Sequence, residues 1–160
     1  MNKEEYLSKI ERRLSKHSLI ATWDQTERNV KADDTTFDLV VKGDTSKLSI
    51  GLFARLLASV LLPKQKVVVM VKAVDGEKLM SVEDLAEIAN AAKKYMIREK
   101  LRWVWLVVAT FGDFLANTLR FAEEYYEENI AIVLVNLGKE KVSAFTHSGL
   151  GRSGSGLVKP

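Results

Sequence analysis

The sequence predicts an α/β fold in which a mixed central sheet is flanked by helices. Three observations carry that prediction. Residues 66–74, 103–110 and 130–137 are almost unbroken runs of Val, Ile, Leu and Ala with few polar interruptions, the pattern of strands covered on both faces. Helix-patterned segments at 81–100 and 113–128 alternate with those runs, as in layered α/β domains. Residues 3–16 place Tyr6, Ile10 and Leu14 four apart among charged neighbours, the apolar stripe of a helix laid across a sheet.

Taken in order, the amphipathic helix at 3–16 is followed by a short apolar strand at 19–23. Residues 24–36 are polar and charged, as expected of a hairpin or exposed loop. A strand at 37–41 closes in Lys42-Gly43-Asp44. From 48 to 62, Leu52, Phe53, Leu56, Leu57, Val60 and Leu61 cover much of a helical circumference, which predicts a helix buried in a homodimer interface; Pro63 stops it. The strand at 66–74 turns at Asp75-Gly76. Ser81 followed by Glu83 and Asp84 is an N-cap with an acidic first turn, opening a helix that runs to about residue 100. After the strand at 103–110, Asp113 is placed to cap a helix reaching about residue 128. The strand at 130–137 is followed by an edge strand at 141–146. Residues 148–160 are rich in Gly and Ser and are predicted to form a flexible tail, leaving 1–147 as a single α/β domain.

Composition narrows the function classes. At 160 residues the chain suits one domain with a substantial core, and 47% hydrophobic with 28% charged residues excludes a wholly disordered chain. The absence of cysteine excludes disulfides, thiolate zinc sites and cysteine nucleophiles. Any metal must then be held by oxygen or by His17 and His147, which are far apart with no third partner in the pattern. The first βα turn lacks any Gly-x-Gly-x-x-Gly or Walker lysine motif, so the fold reads as mixed α/β rather than Rossmann. Trp103 and Trp105 share a strand face and read as core rather than as a stacking platform. A net charge of +3 and a pI of about 9.0 permit nucleic-acid binding, with Lys42, Arg152 and Lys159 as candidate phosphate contacts. The chain shows neither a signal peptide nor an apolar run near the ~18 residues that span a bilayer, so no membrane role and a cytoplasmic location are expected.

Lys72 needs an explanation, because it interrupts a strand that is otherwise apolar. Metal-assisted phosphodiester cleavage uses carboxylates to hold a divalent ion and a cation to steady the attacking water and the developing charge. Asp38, on the preceding strand, faces away from Phe37 and Leu39 by strand alternation, and Lys72 shares a face with Met70 and Val68. With the order of elements, these residues resemble the PD-(D/E)XK, restriction-endonuclease-like nuclease superfamily, in the branch that includes archaeal Holliday junction resolvases. That family carries an Asp on one core strand, (Asp/Glu)-x-Lys on the next, and often a Glu from the first helix. The resemblance covers about residues 3–137, with 48–62 as an insertion. It implies Asp38 as catalytic acid and metal ligand, Lys72 as the motif lysine, Glu11 as the helical Glu, and Mg²⁺ or Mn²⁺ as cofactor. The departure is Met70, which stands where the motif has its acid; a thioether is no ligand for Mg²⁺. The reading is therefore a nucleic-acid-binding protein on a nuclease-like fold with impaired or absent cleavage. Its alternatives are an active nuclease that takes its second acid from Asp75, Glu83 or Glu87, and a non-catalytic dimeric scaffold.

Overall fold

The computed structural model describes residues 1–16, 21–45, 65–76 and 79–160. Helix α1 (Lys3–Lys16) precedes strands β1 (Thr22–Ala32), β2 (Thr35–Asp44) and β3 (Lys66–Val74). Helix α2 (Val82–Arg98), β4 (Trp103–Thr110), α3 (Ala116–Glu123), β5 (Ile130–Asn136), β6 (Lys141–Phe145) and α4 (Gly149–Leu157) follow. The six strands form one sheet in chain order. Strands β1, β2 and β3 make an antiparallel meander, β3, β4 and β5 run parallel, and β6 returns antiparallel, so the sheet is mixed as the sequence predicts. Among the described residues from 3 to 110 the elements run helix, three strands, helix, strand.

The layering follows from which side chains need cover. Alternate residues of β3, β4 and β5 fall into two apolar layers. Val68, Met70, Leu106 and Ile132 pack against Leu85, Ile88 and Tyr95 of α2, while Val69, Trp105 and Val133 pack under Tyr6, Ile10 and Leu14 of α1 and Leu157 of α4. Each such fully buried aliphatic side chain contributes about 1.5–3 kcal/mol relative to exposure. The parallel steps from β3 to β4 and from β4 to β5 run in one direction across the sheet. Crossovers of one hand therefore place both connecting helices, α2 and α3, on the same face. Helix α2 starts as its sequence dictates: Ser81 Oγ accepts from the Asp84 amide and the Asp84 carboxylate accepts from the Ser81 amide, a capping box.

Four expectations require correction. Of the hairpin and the exposed loop expected at 24–36 the structure has the hairpin, and the strand expected to end at 23 is longer: β1 reaches Ala32 and turns through Asp33 and Asp34 into β2. β1 stands at one end of the strand order of the described residues and buries only Ala32, so it lacks the unbroken apolar run of the central strands. Asp113 does not cap α3, whose N-cap is Leu115 without a side-chain bond; the Asp113 carboxylate instead accepts from Asn136 Nδ2 at 3.0 Å and pairs with Lys139. That helix also ends at Glu123 rather than near residue 128. The expected flexible tail is α4, capped by Ser148, with Gly151, Gly154 and Leu157 buried. The helix at 48–62 and its homodimer interface, together with His17, lie outside the described residues.

Candidate functional site

Asp38 is where chemistry was expected, and the chain around it explains its state. Along β2, Leu39 and Val41 belong to the layer under α1, and Val40 to the layer under α2. Regular alternation would send Asp38 to the α2 side. Between Leu39 and Phe37 the strand rotates, so that Phe37 lies on the α2 side and the Asp38 carboxylate meets α1. The partner strand rotates with it. Arg28 reaches Glu11 of α1, whereas Val30, two residues on, packs on the α2 side. Between them Asn29 has φ of +53°, the left-handed conformation that Asn tolerates better than most residues.

On the α1 side, Asp38 is held at both oxygens. Oδ1 is 2.8 Å from Lys3 Nζ, and Oδ2 accepts from the backbone amide of Ala73 at 2.7 Å. Lys3 also stands 3.5 Å from Asp75, a far more exposed carboxylate at the end of β3. The hydrogen bond to Asp38 holds the Lys3 ammonium above its ordinary pKa, against the opposing effect of burial. Glu11, expected as a helical active-site acid, is 2.8 Å from Arg28 Nε, and Glu4 is 3.5 Å from the same guanidinium. A cleft of about 180 Å³ lined by Lys3, Glu4, Leu7, Arg28, Asn29 and Asp38 opens beside this network.

Lys72 is elsewhere. It is in register with Val108 and lies between Met70 and Val74, all on the α2 side, and its Nζ donates to the Thr36 carbonyl at 2.8 Å. Asp38 and Lys72 thus sit on neighbouring strands with side chains directed to opposite faces. On the Asp38 side, the nearby β3 positions are Val71 and Ala73, and Met70 is fully buried in the opposite layer.

The divalent metal implied by the resemblance can be tested against these donors. Mg²⁺ and Mn²⁺ call for several oxygen ligands with few competing cations. Here both Asp38 oxygens are engaged, and an ammonium occupies the space between Asp38 and Asp75. The motif position is a thioether, and no group of three or more His, Asp or Glu that could hold a metal exists among the described residues. The residues do not fit the ion.

The expected phosphate contacts separate into two kinds. Lys42 is drawn inward: its Nζ is 3.4 Å from Glu27, 3.5 Å from Glu99 and 5.4 Å from the centroid of the Tyr95 ring. Arg152 and Lys159 are exposed, on and just after α4. They share their side of the sheet with exposed Lys9, Arg12 and Lys16 of α1, cations the sequence reading did not single out. Helical spacing signals these three, since each lies off the Tyr6, Ile10, Leu14 stripe. Arg13 joins the two helices by donating to the carbonyls of Leu157 and Lys159. Among the described residues none of Lys9, Arg12, Lys16, Arg152 and Lys159 has an ion pair, whereas the acids of this side are engaged. Glu4 and Glu11 hold Arg28, Glu5 accepts from the Asn2 amide and Glu140 pairs with the Met1 ammonium.

No family model matches the chain, and no curated protein sequence does. Among solved structures, the chain is similar to the MspJI restriction endonuclease in complex with a 27-mer oligonucleotide, with 14% identity and a TM-score of 0.34. The likeness covers 82% of this chain and 26% of that one. No helix among the described residues is long and apolar enough to cross a membrane.

Proposed function

We propose that this protein binds nucleic acid through the side of the sheet covered by α1 and α4, and that it does not cleave it with a divalent metal. The observation that carries the reading is the set of five exposed cations, Lys9, Arg12, Lys16, Arg152 and Lys159, beside acids already engaged within the fold. Uncompensated Lys and Arg on one face supply the electrostatic part of phosphate-backbone binding, through release of counterions. The absence of cleavage rests on Asp38, whose oxygens are occupied by Lys3 and the Ala73 amide.

The test is affinity for branched, duplex and single-stranded DNA and RNA as a function of salt, with a parallel cleavage assay in Mn²⁺. Binding is expected to weaken linearly in log[salt]. Arg12→Gln and Arg152→Gln should each reduce the magnitude of that slope by about 1, or about 0.7 on single strands. Failure to retain any of these ligands at ~50 mM salt would remove the binding reading. Mn²⁺-dependent cutting abolished by Asp38→Asn would overturn the non-catalytic one.

A further inference from the structure

The end of α3 and the segment after it carry the reverse charge and an aromatic row whose outer end packing does not use. Phe121, near the end of α3, stands 5.6 Å centroid to centroid from Tyr125, which is stacked at 6.3 Å and 30° on Tyr126. Phe121 and Tyr125 rest against the core layer beneath α2, so the row is anchored at one end. Its outer end is open: Tyr126 is 87% exposed, the most exposed of the large hydrophobic side chains among the described residues. Around it the chain reads Glu123-Glu124-Tyr125-Tyr126-Glu127-Glu128, four carboxylates in six residues. Of these, Glu127 pairs with Lys93, while Glu124 and Glu128 are exposed and have no ion pair among the described residues. Arg120 is the one cation within α3 itself.

We propose that this segment is a docking surface for an arginine-rich, extended segment of a partner protein. Four carboxylates repel phosphate, so the aromatic row is unsuited to stacking nucleic-acid bases, and the occupant must bring positive charge. A guanidinium laid over the Tyr126 ring gains cation–π attraction and still reaches a carboxylate with its planar fork of donors. An ammonium, strongly hydrated and unable to stack, gains less from the same surface. Because the aromatic row is already ordered by Phe121 and the core, binding does not have to organise it.

The experiment uses the full chain and a synthetic twelve-residue peptide of alternating Arg and Ser, followed by calorimetry and by chemical-shift mapping of the tyrosine rings. Saturable binding is expected, with the largest shifts at Tyr125 and Tyr126 and an affinity at least threefold above that for the Lys/Ser peptide. Tyr126→Leu, which keeps apolar area and removes the aromatic face, should lower affinity about fivefold, the equivalent of ~1 kcal/mol. Glu124→Gln with Glu128→Gln should weaken binding further and reduce its salt dependence. Equal affinity for the two peptides, or no effect of Tyr126→Leu, would reduce the interaction to nonspecific charge and overturn the proposal. Absence of binding at ~50 mM salt would overturn it as well. Neither Arg12 nor Arg152 takes part in the ring contacts of the aromatic row, so their variants should leave peptide binding intact.

Discussion

If Asp38 is a structural anchor, removing it should destabilise the protein by an amount that its two bonds set. Asp38→Ala strips the acceptor from the Ala73 amide, a buried bond, and leaving such a donor unsatisfied costs about 1–3 kcal/mol. It also releases Lys3, whose side chain is 26% exposed, so water screens the pair to about 0.2–1 kcal/mol. Together these predict a loss of about 1–4 kcal/mol, and roughly 2–16 °C in Tm for a chain of this size. Urea unfolding at pH 7 of wild type, Asp38→Ala, Lys3→Met and the double variant provides the measurement. Lys3→Met alone should cost under ~1 kcal/mol, and the double-variant cycle should return a coupling of the same size, leaving the amide term in Asp38→Ala. A poised catalytic carboxylate behaves in the opposite way. It is commonly a site of stored destabilisation, and its removal stabilises the fold at the expense of activity. An Asp38→Ala protein as stable as wild type, or more stable, would refute the anchor and restore Asp38 as an active-site candidate.

Two further predictions concern α4 and alkaline pH. A Cβ at Gly154 would lie 2.3 Å from Trp105 Cδ1, and one at Gly151 would lie 1.9 Å from the Thr146 carbonyl, whereas one at Gly156 meets nothing within 4 Å. Gly151→Ala and Gly154→Ala should therefore each lower stability by about 1–3 kcal/mol in chemical denaturation, while Gly156→Ala should leave it unchanged or raise it by up to ~1 kcal/mol. Equal effects at all three positions would mean that the helix does not seat on the sheet. Lys3 has its pKa raised in the folded state chiefly by Asp38, and burial raises those of Tyr6 and, to about 12, Tyr125. In each case the unfolded chain releases its proton first, so the contributions are complete below about pH 10 and are lost as pH rises beyond it. Stability measured from pH 8 to 11.5 should fall above pH 10, less steeply in Tyr6→Phe, which also loses its hydrogen bond to the Val158 carbonyl.

Much of the fold was legible because its signals are local and its strands are fully buried. The stripe of Tyr6, Ile10 and Leu14 and the Ser81 capping box define α1 and α2 from a few residues each, and the unbroken runs at 103–110 and 130–136 need no partner to be read as strands. The extent of β1 was not legible because Ala32 is its one buried residue, so neither face leaves an apolar period. α4 was missed for a different reason. Glycine is a poor helix former, and its presence at Gly151 and Gly154 is dictated by contact with Thr146 and Trp105, residues 5 and 49 positions earlier. The Trp105 indole N–H, donating to the Leu150 carbonyl at 2.9 Å, fixes the helix from a distance that composition does not reveal.

Two features separate these residues from the motif: Met70 in place of its acid, and the parity of Asp38 and Lys72. Asp38 and Lys72 are on adjacent strands, as the resemblance requires, and had β2 alternated regularly from Val40 the carboxylate would have shared the α2 side with Lys72. The rotation at Asn29 and Asp38 turns the acid to the other face, where the β3 positions beside it are Val71 and Ala73 and the available cation is Lys3 of α1. Because side chains alternate with a period of two, one such rotation moves a residue across the whole thickness of the sheet. A short motif is read by spacing, and spacing along each strand is preserved here. What is lost is the common face, at a point where the neighbouring strand carries Asn29 in a left-handed conformation. Reversing that rotation would also break the Asp38 bond to the Ala73 amide and its pairing with Lys3, so the packing that anchors α1 to the sheet is the same packing that keeps Asp38 and Lys72 apart.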